Sequence, residues 1–348
     1  MPCKPGWPVW KASVSRAHCW ATAVCCRSMR MDKQTIFCDA EALRALAGSG
    51  QLAGVSMAGG HYVGLDLSGM RFEGVEASGA LFEDCTLHET AWEGGRFDQT
   101  RFVRCDLAHS RFEGCRGEDV GFEHTDLGET WWQGCVLAQV HLATARLDRM
   151  AAMDCTFAAV CWPQVLSGLW LSNCRLPAAR LEPGSNWQQV QVQDCQLEDW
   201  QMEHAQLNQC GFVQCAMDRL QAAGLQAPYA AFWRCSLREA VLSGAQLGGA
   251  NFEQADLAGA VFDASNLRQA RLVSARTPGA RFVAADLSQA DLSHLEAGDA
   301  DFSQAQLVLA NMHDAYLDAA CLTGSDRSRI RPTDAERLQA QQWRPAHP

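Results

Sequence analysis

The sequence contains no run of 18 or more apolar residues, so it predicts no transmembrane helix. It has no excess of positive charge: 29 Lys and Arg stand against 40 Asp and Glu, a net charge of −11. A general nucleic-acid binder needs a basic face to neutralise phosphates, and this balance argues against that class. Also missing are a glycine-rich phosphate loop, a G-x-S-x-G elbow, a C-x-x-C pair and an H-E-x-x-H pair. Their absence removes the commonest signatures of nucleotide, acyl-transfer, thiol-redox and zinc chemistry. The ten histidines are scattered, with His204 and His294 reading as solvated surface groups. No residue is nominated as catalytic, cofactor-binding or metal-ligating, and no cofactor is expected. What the chain does have, unusually, is seventeen cysteines in 348 residues. That is high for a reducing compartment and low for a disulfide scaffold.

The charge is unevenly spread. Residues 1–31 carry five basic groups and no acid, 32–47 carry −1, and the tail 326–348 carries +2, which leaves −17 on the middle segment. The first 31 residues hold Cys3, Cys19, Cys25 and Cys26 with little periodicity and read as a disordered extension. Lys11, Arg16 and His18 break any signal-peptide core before Ala21-Thr22-Ala23, and Met29 or Met31 is an alternative start. Asp39 is expected to cap a short helix over 40–47, stopped by Gly48. Thr333 and Glu336 have the spacing of a capping box for a second helix ending before Pro345. The division expected is an extension at 1–31, an N-terminal cap at 32–49, a repeat body at 50–325 and a tail at 326–348.

From Leu52 onward a large apolar residue recurs every fifth position, as in Phe232, Leu237, Leu242, Leu247, Phe252 and Leu257. Of 55 such slots between 52 and 322, 48 hold Leu, Phe, Met, Trp, Tyr or Val. A helix repeats at 3.6 and a strand at 2, so a fixed period of five indicates a solenoid. Two residues before the large one, most repeats carry a small residue, such as Cys105, Ser110, Cys115, Ala245 or Ala250. Spaced by two, both point to the same side of an extended chain. Where the large slot is small, as at Ala152, Ala222, Ala227 and Ala297, its partner grows to Met150, Leu220, Leu225 and Leu295. That exchange conserves core volume, which close packing tolerates best. The phase loses one residue near Pro163 and regains it near Pro183-Gly184, where a bulge or small loop is expected.

Ala250-Asn251-Phe252-Glu253-Gln254 and Ala255-Asp256-Leu257-Ala258-Gly259, with Ala285-Asp286-Leu287 and Ala300-Asp301-Phe302, resemble the A-(D/N)-L-x-x pattern of the pentapeptide-repeat family. The resemblance spans about 48–325, although Cys or Thr often replaces Ala in the first half. It implies an all-β fold: a right-handed quadrilateral parallel β-helix with short capping helices, four repeats and 20 residues per coil. Roughly fourteen coils at the sheet spacing make a rod of about 65 Å. On a 20-residue coil Cys115, Cys135, Cys155, Cys174, Cys195, Cys215 and Cys235 stack in one column, with Cys85 and Cys105 in another. A column of single thiols does not converge on a metal, so these read as core filler in a reducing, cytoplasmic setting.

The candidate protein-binding surface is Arg71, Arg111, Trp131, Trp170 and Trp233, all at outward slots, with an Arg111–Trp131 stack expected one coil apart. The candidate acidic face is Asp286, Asp291, Glu296 and Asp301. By resemblance the chain reads as a non-enzymatic scaffold for protein–protein interaction. One form of that reading is a bacterial secretion-associated adaptor, type VI secretion being a guess. The alternative is a DNA-mimicking binder of DNA gyrase or topoisomerase, which needs a continuous negative face. An enzyme is the least supported reading. A protein partner of unknown identity is expected, with no direct nucleic-acid binding and no membrane span; the resemblance allows a homodimer formed through a terminal cap.

Overall fold

A single 20-residue turn of this chain cannot satisfy its own backbone. Its N–H and C=O groups point up and down, and they need another turn on each side. The computed structural model describes residues 36–46 and 50–342; the expectations for residues 1–31 and for Gly48 lie outside these. Within them the chain winds into a right-handed quadrilateral β-helix in which all strand pairing is parallel. The Leu67 N–H donates to the Thr86 carbonyl at 2.8 Å, and the Thr86 N–H returns to the Leu65 carbonyl at 2.9 Å. This exchange repeats on four faces. The first face climbs through Gln51, Arg71, Ala91, Arg111, Trp131, Ala151, Trp170, Gln191, Gly211 and Ala231 as one ten-stranded sheet. It continues as single bridges through Asn251, Arg271, Asp291 and Asn311 to Arg331, fourteen steps in all. The ladder thus passes the expected boundary at 325 by a few residues.

The interior is built from the two inward slots. Large side chains of successive coils lie over one another: Phe72 on Trp92 at 3.9 Å, Phe112 on Trp132 at 3.9 Å, and Phe262, Phe282 and Phe302 at 5.0 and 4.8 Å. Such pairs add roughly 0.5–1.5 kcal/mol each beyond the area they bury. The exchanged pairs Met150/Ala152, Leu220/Ala222, Leu225/Ala227 and Leu295/Ala297 are all buried. Ladder spacing follows the sequence slip, with steps of 19 from Ala151 to Trp170 and 21 from Trp170 to Gln191.

Both ends carry short elements. Strand β1 (Ile36–Phe37) adds a parallel rung below β3 (Val55–Ser56), which follows β2 (Gln51–Ala53). Helix α1 (Ala40–Leu46) is capped by Asp39, whose carboxylate accepts the Ala42 N–H at 2.8 Å, and it buries Leu43. Helix α2 (Ala335–Gln342) differs from the expected capping box. Its cap is Asp334, which accepts the Arg337 N–H at 3.0 Å, while the Thr333 hydroxyl accepts the Asp314 N–H. A carboxylate one residue later satisfies the first helical turn, leaving Thr333 to close the last coil. Below α2, buried His313 accepts the Asp334 N–H through Nδ1 at 3.2 Å and contacts Gln341 through Nε2 at 3.1 Å.

Buried tryptophans show why hydroxyls occupy some small slots. The Trp92 Nε1–H donates to the Thr90 hydroxyl at 2.9 Å and the Trp132 Nε1–H to the Thr130 hydroxyl at 3.1 Å. Two residues before Trp162 stands Val160, and Trp162 Nε1 is the buried side-chain nitrogen left without a partner among the described residues. Leaving a buried donor unpaired costs about 1–3 kcal/mol. Val160→Thr is therefore expected to be more stable than Val120→Thr, which precedes Phe122 and gains no indole partner. A difference of about 1 kcal/mol or more is expected from urea unfolding. Equal losses for the two variants would refute the pairing.

Candidate binding surfaces

Each corner of the coil places three residues outside, and the structure shows which of them meet. Arg71, Arg111, Trp131 and Trp170 occupy the same column of the first face, with Ala91 and Ala151 on the rungs between them, and Trp233 sits on that face at the last position of its strand. The two arginines are exposed and the three indoles half-buried. Arg71 is held by Glu93 at 2.7 Å. The expected Arg111–Trp131 stack is replaced by a different pairing. The Trp131 ring lies on Trp170 at 6.0 Å and 19°. They meet across Ala151, whose methyl group leaves room for both indoles. Among the described residues a cation–π contact is formed by Arg234 over Trp233, at 4.4 Å. The first face thus presents an indole pair rather than an arginine–indole ladder.

The four carboxylates expected as one acidic face do not share a face. Asp286 bridges Asn266, Asp291 bridges Arg271, Glu296 bridges Arg276, and Asp301 bridges Arg281. They ring a single coil, one per side, because their spacing of five moves each to the next corner. Three of the four lie rung to rung on an arginine. Arg276 reaches Glu296 at 3.2 Å and Asp256 at 3.1 Å, and Arg268 reaches Asp286 at 3.2 Å. The Ser303 hydroxyl and N–H hold the Asp301 carboxyl below its ordinary range. The first half is interleaved likewise: Arg101 with Asp119 at 2.7 Å, Arg104 with Asp84 at 2.7 Å, and Arg146 between Asp126 and Asp148.

The seven cysteines of the column, Cys115, Cys135, Cys155, Cys174, Cys195, Cys215 and Cys235, are buried and form no disulfide. Five of the thiols donate to main-chain carbonyls one coil back, as Cys115 does to Trp92 at 3.3 Å and Cys235 to Phe212 at 3.3 Å, while Cys155 and Cys195 donate to Met153 and Gln193 within their own coil. Hydrogen bonds with neighbouring thiols, then burial, raise Cys155, Cys195 and Cys215, while burial alone pushes Cys210 up to about 11. Among the described residues no group of His, Cys, Asp and Glu is arranged to hold a metal ion, and no helix is long and apolar enough to cross a membrane. Cys321, which stands beside a large slot and not in an inward one, is exposed. Hydrogen bonds from the Ser303 and Thr323 hydroxyls lower its pKa from 9.0. A lowered pKa keeps more thiolate as pH falls below 9, so iodoacetamide at pH 7.5 should label Cys321 well before the column. Peptide mapping checks this, and labelling of Cys155 at the rate of Cys321 would contradict the packing described.

Comparison with known proteins follows the same lines. The family model "Pentapeptide repeats" matches in 8 copies, over residues 80–116, 235–273 and 285–324. No curated protein matches the chain. Among solved structures, HetL of the cyanobacterium Nostoc, a pentapeptide repeat protein involved in heterocyst differentiation regulation, is 18% identical. It covers 84% of this chain and 94% of its own, with a TM-score of 0.22. QnrB1, a plasmid-mediated fluoroquinolone resistance protein, is 16% identical over 60% of this chain and 95% of its own, with a TM-score of 0.33. A pentapeptide repeat protein of the Arabidopsis thaliana thylakoid lumen is 31% identical over 28% of this chain and 75% of its own, with a TM-score of 0.18.

Proposed function

The chain belongs to the pentapeptide-repeat family, and on that premise we propose that it is a non-enzymatic scaffold that binds another protein along the side of its rod. The observation that carries this reading is the half-buried Trp131–Trp170 pair on the first face, flanked by exposed Arg111. Indoles and arginine are the side chains most often found at the centre of protein interfaces. A ladder that pairs almost every backbone group makes a stiff support, so little ordering cost falls on association. The free, buried thiols suit a reducing compartment such as the cytoplasm. The last coil leaves Leu317, Leu322 and Ile330 only partly covered, and this end is where a second copy would stack to form a homodimer. A secretion-associated adaptor role would follow from the identity of the partner.

The alternative, a DNA-mimicking ligand of gyrase, asks for an unbroken negative face. Against it stand Arg271, Arg276 and Arg281 directly beneath Asp291, Glu296 and Asp301. Affinity purification from the native host tests the first reading. Trp131→Ala combined with Trp170→Ala should weaken partner recovery at least tenfold while the melting temperature stays unchanged. An unchanged partner set with the double variant would refute it. Inhibition of gyrase supercoiling by the intact protein, insensitive to the two indoles, would favour the alternative.

A further inference from the structure

The fourth face differs from the other three over the coils that follow the slip. Its leading rung positions are Asn186, Gln206, Gln226, Gln246 and Asn266, a run of side-chain amides one coil apart. Four steps at the sheet spacing make a strip of about 19 Å. No Asp, Glu, Lys or Arg stands on this face between Asn186 and Gly249, and Arg268, on the coil of Asn266, is turned to Asp286; the surrounding rod is acidic and laced with ion pairs. At the edge of the strip lies an open groove of about 650 Å³ whose walls include Gln188, Gln191, Asn208, Gln209 and Tyr229, with no charged residue among its lining.

Three details mark the groove as more than a gap between side chains. Tyr229 is 77% exposed, the most exposed large apolar side chain among the described residues. It stands on a left-handed backbone with φ 60°, and its ring leans over Gly249 in the next coil. A Cβ at 249 would fall 2.5 Å from the ring, so glycine there is what lets the tyrosine lie against the rod. Gly211 does the same for Gln191, whose amide oxygen would sit 2.6 Å from an added Cβ. The amides are aligned by one another: Asn208 Nδ2 donates to Asn186 Oδ1 at 3.1 Å, Gln189 Nε2 to Gln209 Oε1 at 3.4 Å, and Gln191 Nε2 to the Gln209 carbonyl at 3.3 Å. The carbonyl oxygens of Gln191 and Asn208 and the amide nitrogen of Gln209 are thereby left for a ligand, as is the Tyr229 hydroxyl.

The chemistry of this lining selects its occupant. A phosphate, nucleic acid or anionic peptide would find no cation to neutralise it, and a cationic ligand no carboxylate. A protein partner would favour an apolar centre, which this amide-lined strip lacks. A neutral chain of hydroxyls suits it. Each amide offers one acceptor and one donor group to adjacent hydroxyls, and a tyrosine ring accepts the apolar face of a pyranose. The geometry points to a binding site for a linear, uncharged oligosaccharide, lying along the fourth face with one sugar ring stacked on Tyr229. The groove borders the Trp131–Trp170 pair, since Gln191 is the rung that follows Trp170, but Trp131 and Tyr229 stand on different rungs and their separate substitution distinguishes the two readings.

The test uses the full chain on an array of neutral and anionic glycans, followed by saturation-transfer NMR with the neutral oligosaccharide that is best retained. Tyr229→Ala should weaken that binding roughly tenfold through loss of the stacked ring. Gln209→Glu, which keeps the size of the side chain, should weaken it by removing a donor. Trp131→Ala should leave it unchanged. Far-UV circular dichroism and melting of each variant exclude unfolding. Three outcomes would overturn the proposal: no neutral glycan retained, retention of anionic glycans alone, or retention that Tyr229→Ala does not reduce. Protection of Tyr229 by a protein partner in the absence of glycan binding would assign the groove to that partner instead.

Discussion

The structure rests on the hydrogen bond between one coil and the next. Every coil must close after four repeats so that its donors meet the carbonyls above and below, and this fixes the repeat at five residues with two of them inside. The rest follows from that closure. Each slot stacks on the same slot one coil away, so aromatic rings meet rings, thiols meet thiols, and the Thr90 hydroxyl meets that of Ser110. A change of one residue must be compensated, as it is between Ala151 and Gln191, or it would turn inward-facing side chains outward for every coil that follows.

The same stacking governs the surface. Outward positions form columns about 4.8 Å apart, close enough for opposite charges on neighbouring rungs to pair and for like charges to repel. Arg271, Arg276 and Arg281 on one coil answer Asp291, Glu296 and Asp301 on the next. Pairing is incomplete elsewhere: Glu73, Glu93 and Glu113 stand on consecutive rungs of the first face, with Arg71 reaching Glu93. Exposed pairs of this kind add little stability singly; their effect is on what the rod attracts. Where the columns carry amides instead, the surface has no charge pattern and recognition must come from shape and hydrogen bonding.

Much of the fold was legible because it depends on side-chain size at fixed spacing. The inward slots, the volume exchange at Leu220/Ala222 and the compensated slip around Pro163 and Pro183 all follow from the five-residue count. The left-handed corner two residues after each large slot was not read in advance. Gly54, Gly64, Gly74 and Gly94 mark it, but Gln99, Asp154, His204 and Tyr229 adopt it too. For an L-residue that conformation costs roughly 1–2 kcal/mol, which the inter-coil hydrogen bonds offset. The surface was less legible. Outward direction could be assigned to Trp131 and Trp170, but their contact depends on the intervening Ala151. Four carboxylates five residues apart look like a row in the sequence and become a ring in space. The amide strip has the same twenty-residue spacing as the cysteine column, but it lies at outward positions, where no constraint on side-chain size marks it.

The paired irregularity of 19 and 21 residues between Ala151 and Gln191 has a consequence for assembly of the rod. A perfectly periodic solenoid could pair any coil with any other, since all present the same edge. A growing stack could then skip a turn and loop it out without a local penalty. The short and long coils fit only each other's neighbours. They act as an alignment key in the middle of the chain, against which the coils on either side are counted.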